Sequence, residues 1–138
     1  MILEYSPKLL PEEVPEFTKD ILSKLKPFCT DSDLLFDIKL ALEEALINAV
    51  KYGNKSDKEK CVFVKIEATD QELVIEIKDQ GQGFDFNNVA SPTSQDNLEK
   101  LSGRGVFLIK NFMDKVEYFD KGSKIRMVKS LIQDKKLI

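Results

Sequence analysis

The chain has 138 residues, enough for one domain that buries a core without disulfide staples, and its 42% hydrophobic and 33% charged residues are those of an ordinary globular protein. It contains no histidine and no tryptophan, which excludes a Ser-His or Cys-His nucleophilic pair, an imidazole metal site and a phosphohistidine relay carried on this chain. With 21 basic and 24 acidic residues the net charge is −3, so direct nucleic-acid binding through a fold-wide basic face is not expected.

The N-terminal residues Met1-Ile2-Leu3-Glu4-Tyr5 read as a short strand, without the basic and apolar regions of a signal peptide. No run approaches the roughly 20 apolar residues of a membrane span, so a cytoplasmic protein with no membrane partner is expected. Residues 11–28 place Val14, Phe17, Ile21, Leu22 and Leu25 at helical spacing, with Pro11 and Pro15 in the first turns. Pro27 and the polar run 29–33 end that helix and offer caps to the next. Cys29 and Cys61 have no CxxC spacing and read as free thiols.

Residues 32–52 form the clearest helix, with Leu34, Leu35, Ile38, Ala41, Leu42, Ala45, Leu46, Ala49 and Tyr52 in one stripe and Gly53-Asn54 as the stop. After a polar loop, Val62, Val64 and Ile66 alternate with polar neighbours, and Leu73, Ile75 and Ile77 follow the turn Thr69-Asp70-Gln71, predicting a hairpin. The second strand runs directly into Asp79-Gln80-Gly81-Gln82-Gly83. Residues 85–102 carry few apolar positions and read as a lid or binding loop. Gly103-Arg104-Gly105 opens a third helix, expected over 106–115, and residues 116–119 and 124–131, around a Lys121-Gly122 turn, form a second hairpin. Without repeat or linker, residues 1–138 are expected to be a single domain.

Glu44, Asn48 and Lys51 share an arc of roughly 60° on the long helix, beside its apolar stripe, while Glu43 points outward. A carboxylate, an amide and an ammonium therefore line one edge of the core, as a ligand site or as an ordinary solvated helix edge. The glycines after Asp79 allow close approach of a ligand or a neighbouring backbone, and Gly103-x-Gly105 at a helix start favours phosphate oxygens. GxxxxGK[ST] is absent, and the two glycine pairs lie about twenty residues apart, too far for a Rossmann fingerprint.

In this order, Glu44-Ala45-Leu46-Ile47-Asn48-Ala49-Val50-Lys51, Asp79-Gln80-Gly81-Gln82-Gly83 and Gly103-Arg104-Gly105-Val106-Phe107-Leu108-Ile109 resemble the N, G1 and G2 boxes of the GHKL ATP-binding superfamily. Nearly the whole chain is similar to one branch, the anti-sigma-factor serine kinases of bacterial partner-switching systems, and Asn111-Phe112-Met113-Asp114 and Gly122-Ser123-Lys124-Ile125-Arg126-Met127 match it too. The resemblance implies an α/β two-layer sandwich of the histidine-kinase-like ATPase (Bergerat) fold, with a mixed, mostly antiparallel sheet and three helices on one face. It also implies ATP and Mg²⁺ as cofactors, a sigma factor or an anti-sigma-factor antagonist as protein partner, and a homodimer.

By the same resemblance, Asn48 would bind Mg²⁺ through its amide oxygen and Glu44 would be the general base towards a partner's serine. Asp79 would accept from the adenine amino group, Gly81 and Gly83 would shape the pocket, and Ser123, where the branch often has threonine, would stand near the adenine. Gly103, Arg104, Gly105 and Val106 would form the phosphate side, with Lys51 adding positive charge. Two departures bear on activity. The arginine that the branch tends to carry before the second glycine pair is missing from Glu99-Lys100-Leu101-Ser102, and Tyr52 stands where the branch often has histidine. The missing arginine keeps open an alternative, a nucleotide-dependent protein-binding module without kinase activity. A sensor kinase's catalytic domain is disfavoured by the absence of a phosphoacceptor histidine, and a fold that has lost nucleotide binding would show no response to Mg·ATP.

Overall fold

The computed structural model describes residues 1–81 and 109–132. Five strands form one sheet: β1 (Ile2–Tyr5), β2 (Phe63–Ala68), β3 (Glu72–Lys78), β4 (Lys115–Phe119) and β5 (Lys124–Ser130), in the order β1-β2-β3-β5-β4. Every ladder among the described residues is antiparallel. The β2–β3 turn is held by Thr69, whose hydroxyl oxygen accepts from the Gln71 and Glu72 N–H groups at 3.1 Å.

Strict alternation buries one face of the sheet. Val64, Ile66 and Ala68 of β2, Leu73, Ile75 and Ile77 of β3, and Ile125 and Met127 of β5 all turn inward. The opposite face carries Glu76 between Lys124 (3.9 Å) and Arg126 (3.6 Å), with Arg126 continuing to Glu117 at 3.4 Å. The helices cover the apolar face. A short 3₁₀ turn (Pro11–Glu13) leads into α1 (Val14–Leu25), where Val14, Ile21 and Leu25 are buried. Asp31 then caps α2 (Ser32–Ile47), its carboxylate accepting from Asp33 N–H at 2.8 Å and Leu34 N–H at 3.2 Å. The fold is thus the α/β sandwich of a histidine-kinase-like ATPase, as the three boxes imply.

Two boundaries differ from the expected ones. The long helix does not stay α to Tyr52; from Asn48 to Gly53 it widens into a π turn, closed by Asn54 N–H donating to Ala49 O at 2.8 Å. The third helix ends before Lys115. Residues 109–112 are helical, Met113 N–H donates to Ile109 O, and Asp114 N–H already pairs with Val128 O at 2.9 Å, so the chain has joined the sheet. The expected lid, residues 85–102, and the start of that helix lie outside the described residues.

Candidate functional site

At one end of the sheet, three neighbouring strands put Ile77, Ile125 and Tyr118 in register, Ile77 opposite Ile125 and Ile125 opposite Tyr118. The last turns of α2 and the π turn lie over them. There the stripe narrows to Ala45 and Ala49, whose small side chains leave space between helix and sheet. The result is a cavity of about 30 Å³ that opens to solvent, lined by these residues with Asn48, Asp79, Ile109, Gly122 and Ser123. It is an apolar slot with a few convergent polar groups, the usual make-up of a small-molecule site.

Asp79 enters from the sheet, where β3 ends. Only 6% exposed, its carboxyl is pushed up to about 6 by desolvation, against the opposing pull of the Gly81 N–H and the Lys60 and Lys78 charges. Its geometry is tightly fixed. Asp79 N–H donates to Ser123 O at 2.9 Å, and Gly81 N–H donates to Asp79 Oδ1 at 2.7 Å. A Cβ on Gly53 would collide with the Asp79 carboxylate, and one on Gly81 would collide with the Gly53 carbonyl oxygen, so both glycines are required by close approach.

Asn48 enters from the helix, at the start of the π turn. Its Oδ1 is buried with no hydrogen-bond partner among the described residues. A buried acceptor left unmade costs roughly 1–3 kcal/mol, and Asn48 is among the residues that line the cavity. The other buried side-chain atom of this kind among the described residues, Thr18 Oγ1, belongs to α1 and does not line the cavity.

The remaining expected residues sort themselves by position. Ser123 lines the cavity and is buried, its hydroxyl donating to Asp120 O at 2.9 Å. Glu44 stands half-buried on α2, one turn before Asn48, and does not line the cavity itself. Lys51 is exposed, its Nζ 5.6 Å from the Tyr52 ring centroid, outside the cavity wall. Gly83, Gly103, Arg104, Gly105 and Val106 lie outside the described residues.

Three contributors escaped the sequence reading. Tyr118 lines the cavity, and burial pushes its phenol up to about 12; alternation with Val116 in the short strand β4 was the available signal. Gly122 closes a turn in which Asp120, Lys121 and Gly122 all have positive φ (54°, 59° and 90°), setting the wall beside Ser123. Asn54, read as part of a helix stop, is a buried connector 2% exposed.

The slot thus combines a buried aspartate at a strand exit with an asparagine on the covering helix. The chain matches the histidine kinase-like ATPase domain over residues 8–129 and belongs to that family. Among its relatives is the anti-sigma F factor of Oceanobacillus iheyensis, 35% identical over 109 residues, covering 75% of this chain and 74% of the relative. The anti-sigma F factor of Clostridium perfringens is 36% identical over 103 residues, covering 70% and 73%. The serine-protein kinase RsbW of Staphylococcus epidermidis is 35% identical over 105 residues, covering 70% and 66%. The chain therefore falls in the partner-switching branch of the GHKL superfamily.

The residues present fit a nucleotide with its magnesium. The orphaned Asn48 Oδ1 is a hard oxygen donor suited to Mg²⁺, which takes few protein ligands and fills its shell with water and phosphate. No cluster of three or more acidic or cysteine groups among the described residues offers a competing all-protein metal cage.

Proposed function

We propose that the chain is an ATP-binding anti-sigma regulator that also acts as a serine/threonine protein kinase towards the antagonist of its own regulatory circuit. One observation carries this reading: Asp79, a buried carboxylate from the sheet, and Asn48, a helix residue whose amide oxygen has no partner among the described residues, line the same apolar slot. The relatives' names, anti-sigma F factor and serine-protein kinase, give the reading its partner class.

In this reading each residue has a separate task. Asp79 accepts from the exocyclic amino group of adenine, held in line by the Gly81 N–H, while Ile77, Ile125 and Tyr118 exclude water from the base. Gly83 and Ser123 complete the base end. Asn48 holds Mg²⁺ through Oδ1, and the ion, when bound, neutralises phosphate charge. Gly103, Arg104, Gly105 and Val106 serve the phosphate side, with Lys51 as a peripheral cation. Glu44, one helical turn before Asn48, receives the proton of the incoming serine hydroxyl. A sigma factor and an antagonist protein are the partners of a cytoplasmic homodimer.

The test is phosphate transfer from labelled ATP to the cognate antagonist. Glu44→Ala is expected to lower transfer by roughly 100-fold or more, the ordinary contribution of general base catalysis, while ATP binding stays within about threefold. Undiminished transfer by Glu44→Ala removes Glu44 from its role. Tight Mg·ATP binding by wild type without any transfer selects the binding module, which the missing arginine before Gly103 favours.

A further inference from the structure

Asn54 does more than end a helix. It is 2% exposed, and three of its polar groups are each engaged with a different part of the chain. Its N–H closes the π turn on Ala49 O at 2.8 Å. Its Nδ2 donates to Cys61 O at 3.0 Å, at the approach to β2. Its Oδ1 accepts from Gln80 N–H at 2.7 Å, across 26 residues of sequence.

The last of these contacts falls on the residue after Asp79. The three successive N–H groups of residues 79–81 are bound in three directions: Asp79 to Ser123 O, Gln80 to Asn54 Oδ1, and Gly81 to the Asp79 carboxylate. Ser123 tethers the strand exit from the β5 side, and Asn54 tethers it from the helix side. Gly53, next to Asn54, is the surface against which the Asp79 carboxylate rests. A further link, Cys61 N–H to Gln80 Oε1 at 2.6 Å, joins the same two segments without touching the Asp79 backbone.

The π turn explains why this reach is available. Asn54 N–H pairs with the carbonyl five residues back, so residue 54 is rotated relative to a regular α-helical continuation from Asn48. The same turn therefore begins at Asn48, which lines the cavity, and leads into Asn54, which grips the strand exit.

We infer that Asn54 is a positioning residue for Asp79, and that through Asp79 it sets the preference of the site for adenine over guanine. This rests on the reading of the slot as an ATP site. A fixed carboxylate accepts from the adenine amino group and repels the guanine carbonyl oxygen at the same place; a carboxylate free to swing away loses both effects. Asn54 itself does not line the cavity.

The experiment compares dissociation constants of Mg·ATP, Mg·GTP and Mg·tripolyphosphate for the full-length wild type and Asn54→Ala by isothermal titration. Urea melts confirm that the variant is folded at the assay temperature. Asn54→Ala is expected to weaken ATP binding at least tenfold, to shrink the ATP-to-GTP ratio by a similar factor, and to leave tripolyphosphate, which has no base, unchanged. A general structural defect would weaken all three ligands alike. A folded Asn54→Ala with the wild-type ATP-to-GTP ratio overturns the inference while the ATP reading stands, whereas a wild type that binds no ATP overturns both. Should the variant fail to fold, hydrogen exchange of the Gln80 amide in wild type decides: protection comparable to that of β3 amides supports the tether, and loop-like exchange overturns it.

Discussion

At neutral pH the Asp79 carboxylate is a stability liability, and its size follows from the geometry. Desolvation raises its pKa from 3.8 to about 6. A gap of this size corresponds to about 3 kcal/mol, reduced to about 2 kcal/mol once screening through the cavity mouth is allowed for. The sign is fixed by linkage. Because the folded state holds this proton more tightly than the unfolded chain, the contribution is fully present below 3.8 and is lost as pH rises through about 6. Asp79→Asn removes the charge and keeps an amide oxygen where Oδ1 accepts from Gly81 N–H. Without nucleotide, the variant is expected to be more stable than wild type at pH 8 by about 1 to 2 kcal/mol, or roughly 5 °C in Tm, and to bind ATP far more weakly. The advantage should shrink as pH falls through about 6 and disappear below 3.8, where Asp79 is protonated in both states. Urea denaturation of both proteins, followed by far-ultraviolet circular dichroism from pH 4.5 to 8, measures the gap, and carboxylates elsewhere cancel in the difference. A variant less stable than wild type at pH 8, or a gap independent of pH, would refute the reasoning. It would mean that the Gly81 N–H and the lysines compensate the buried charge fully.

Titration of the same carboxylate predicts that ATP affinity declines as pH is lowered from 6 to 5, since a protonated Asp79 is a poorer acceptor for the adenine amino group; calorimetric titration of wild type and Asp79→Asn should show the decline only in the former. Asn48→Ala is expected to cost less than about 1 kcal/mol of stability without nucleotide, because it removes a buried acceptor with no partner among the described residues. The same variant should abolish the thermal shift that Mg·ATP gives the wild type.

The parts of the fold that were legible are those where one period dominates. The stripe from Leu34 to Ala49 and the alternation in Val64-Lys65-Ile66 and Leu73 to Ile77 reflect burial of a single face, and burial is what the sheet and α2 deliver. Where two kinds of structure compete for a residue, the pattern failed. Lys115 continues an amphipathic run, yet Asp114 N–H finds Val128 O, and the ladder takes over from the helix. The π turn was invisible because the apolar stripe through Ala49 and Tyr52 suits either register, and only the hydrogen bond from Asn54 to Ala49 distinguishes them. Asn48 and Asp79 were legible as candidates from residue type and neighbours. Asn54 was not, since its meaning depends on Gln80, which no local pattern connects to it.

The location of the site can also be argued without any relative. Nearly all of the core is apolar and ordinary, and most of its departures from the local rules converge on one end of the sheet. Among the described residues, a carboxylate is buried without an ion pair, an amide oxygen has no hydrogen-bond partner, two glycines admit no Cβ, and a helix widens into a π turn. Beside them run three consecutive residues at positive φ, only the last of which is glycine. Each of these costs stability, and none improves the packing around it. Features of this kind persist together when something other than stability selects them. Loss of function that accompanies a gain in stability, as expected for Asp79→Asn, is therefore the behaviour that separates this end of the sheet from the rest of the molecule. At a buried apolar position such as Ile75, truncation should lower stability and gain nothing in return.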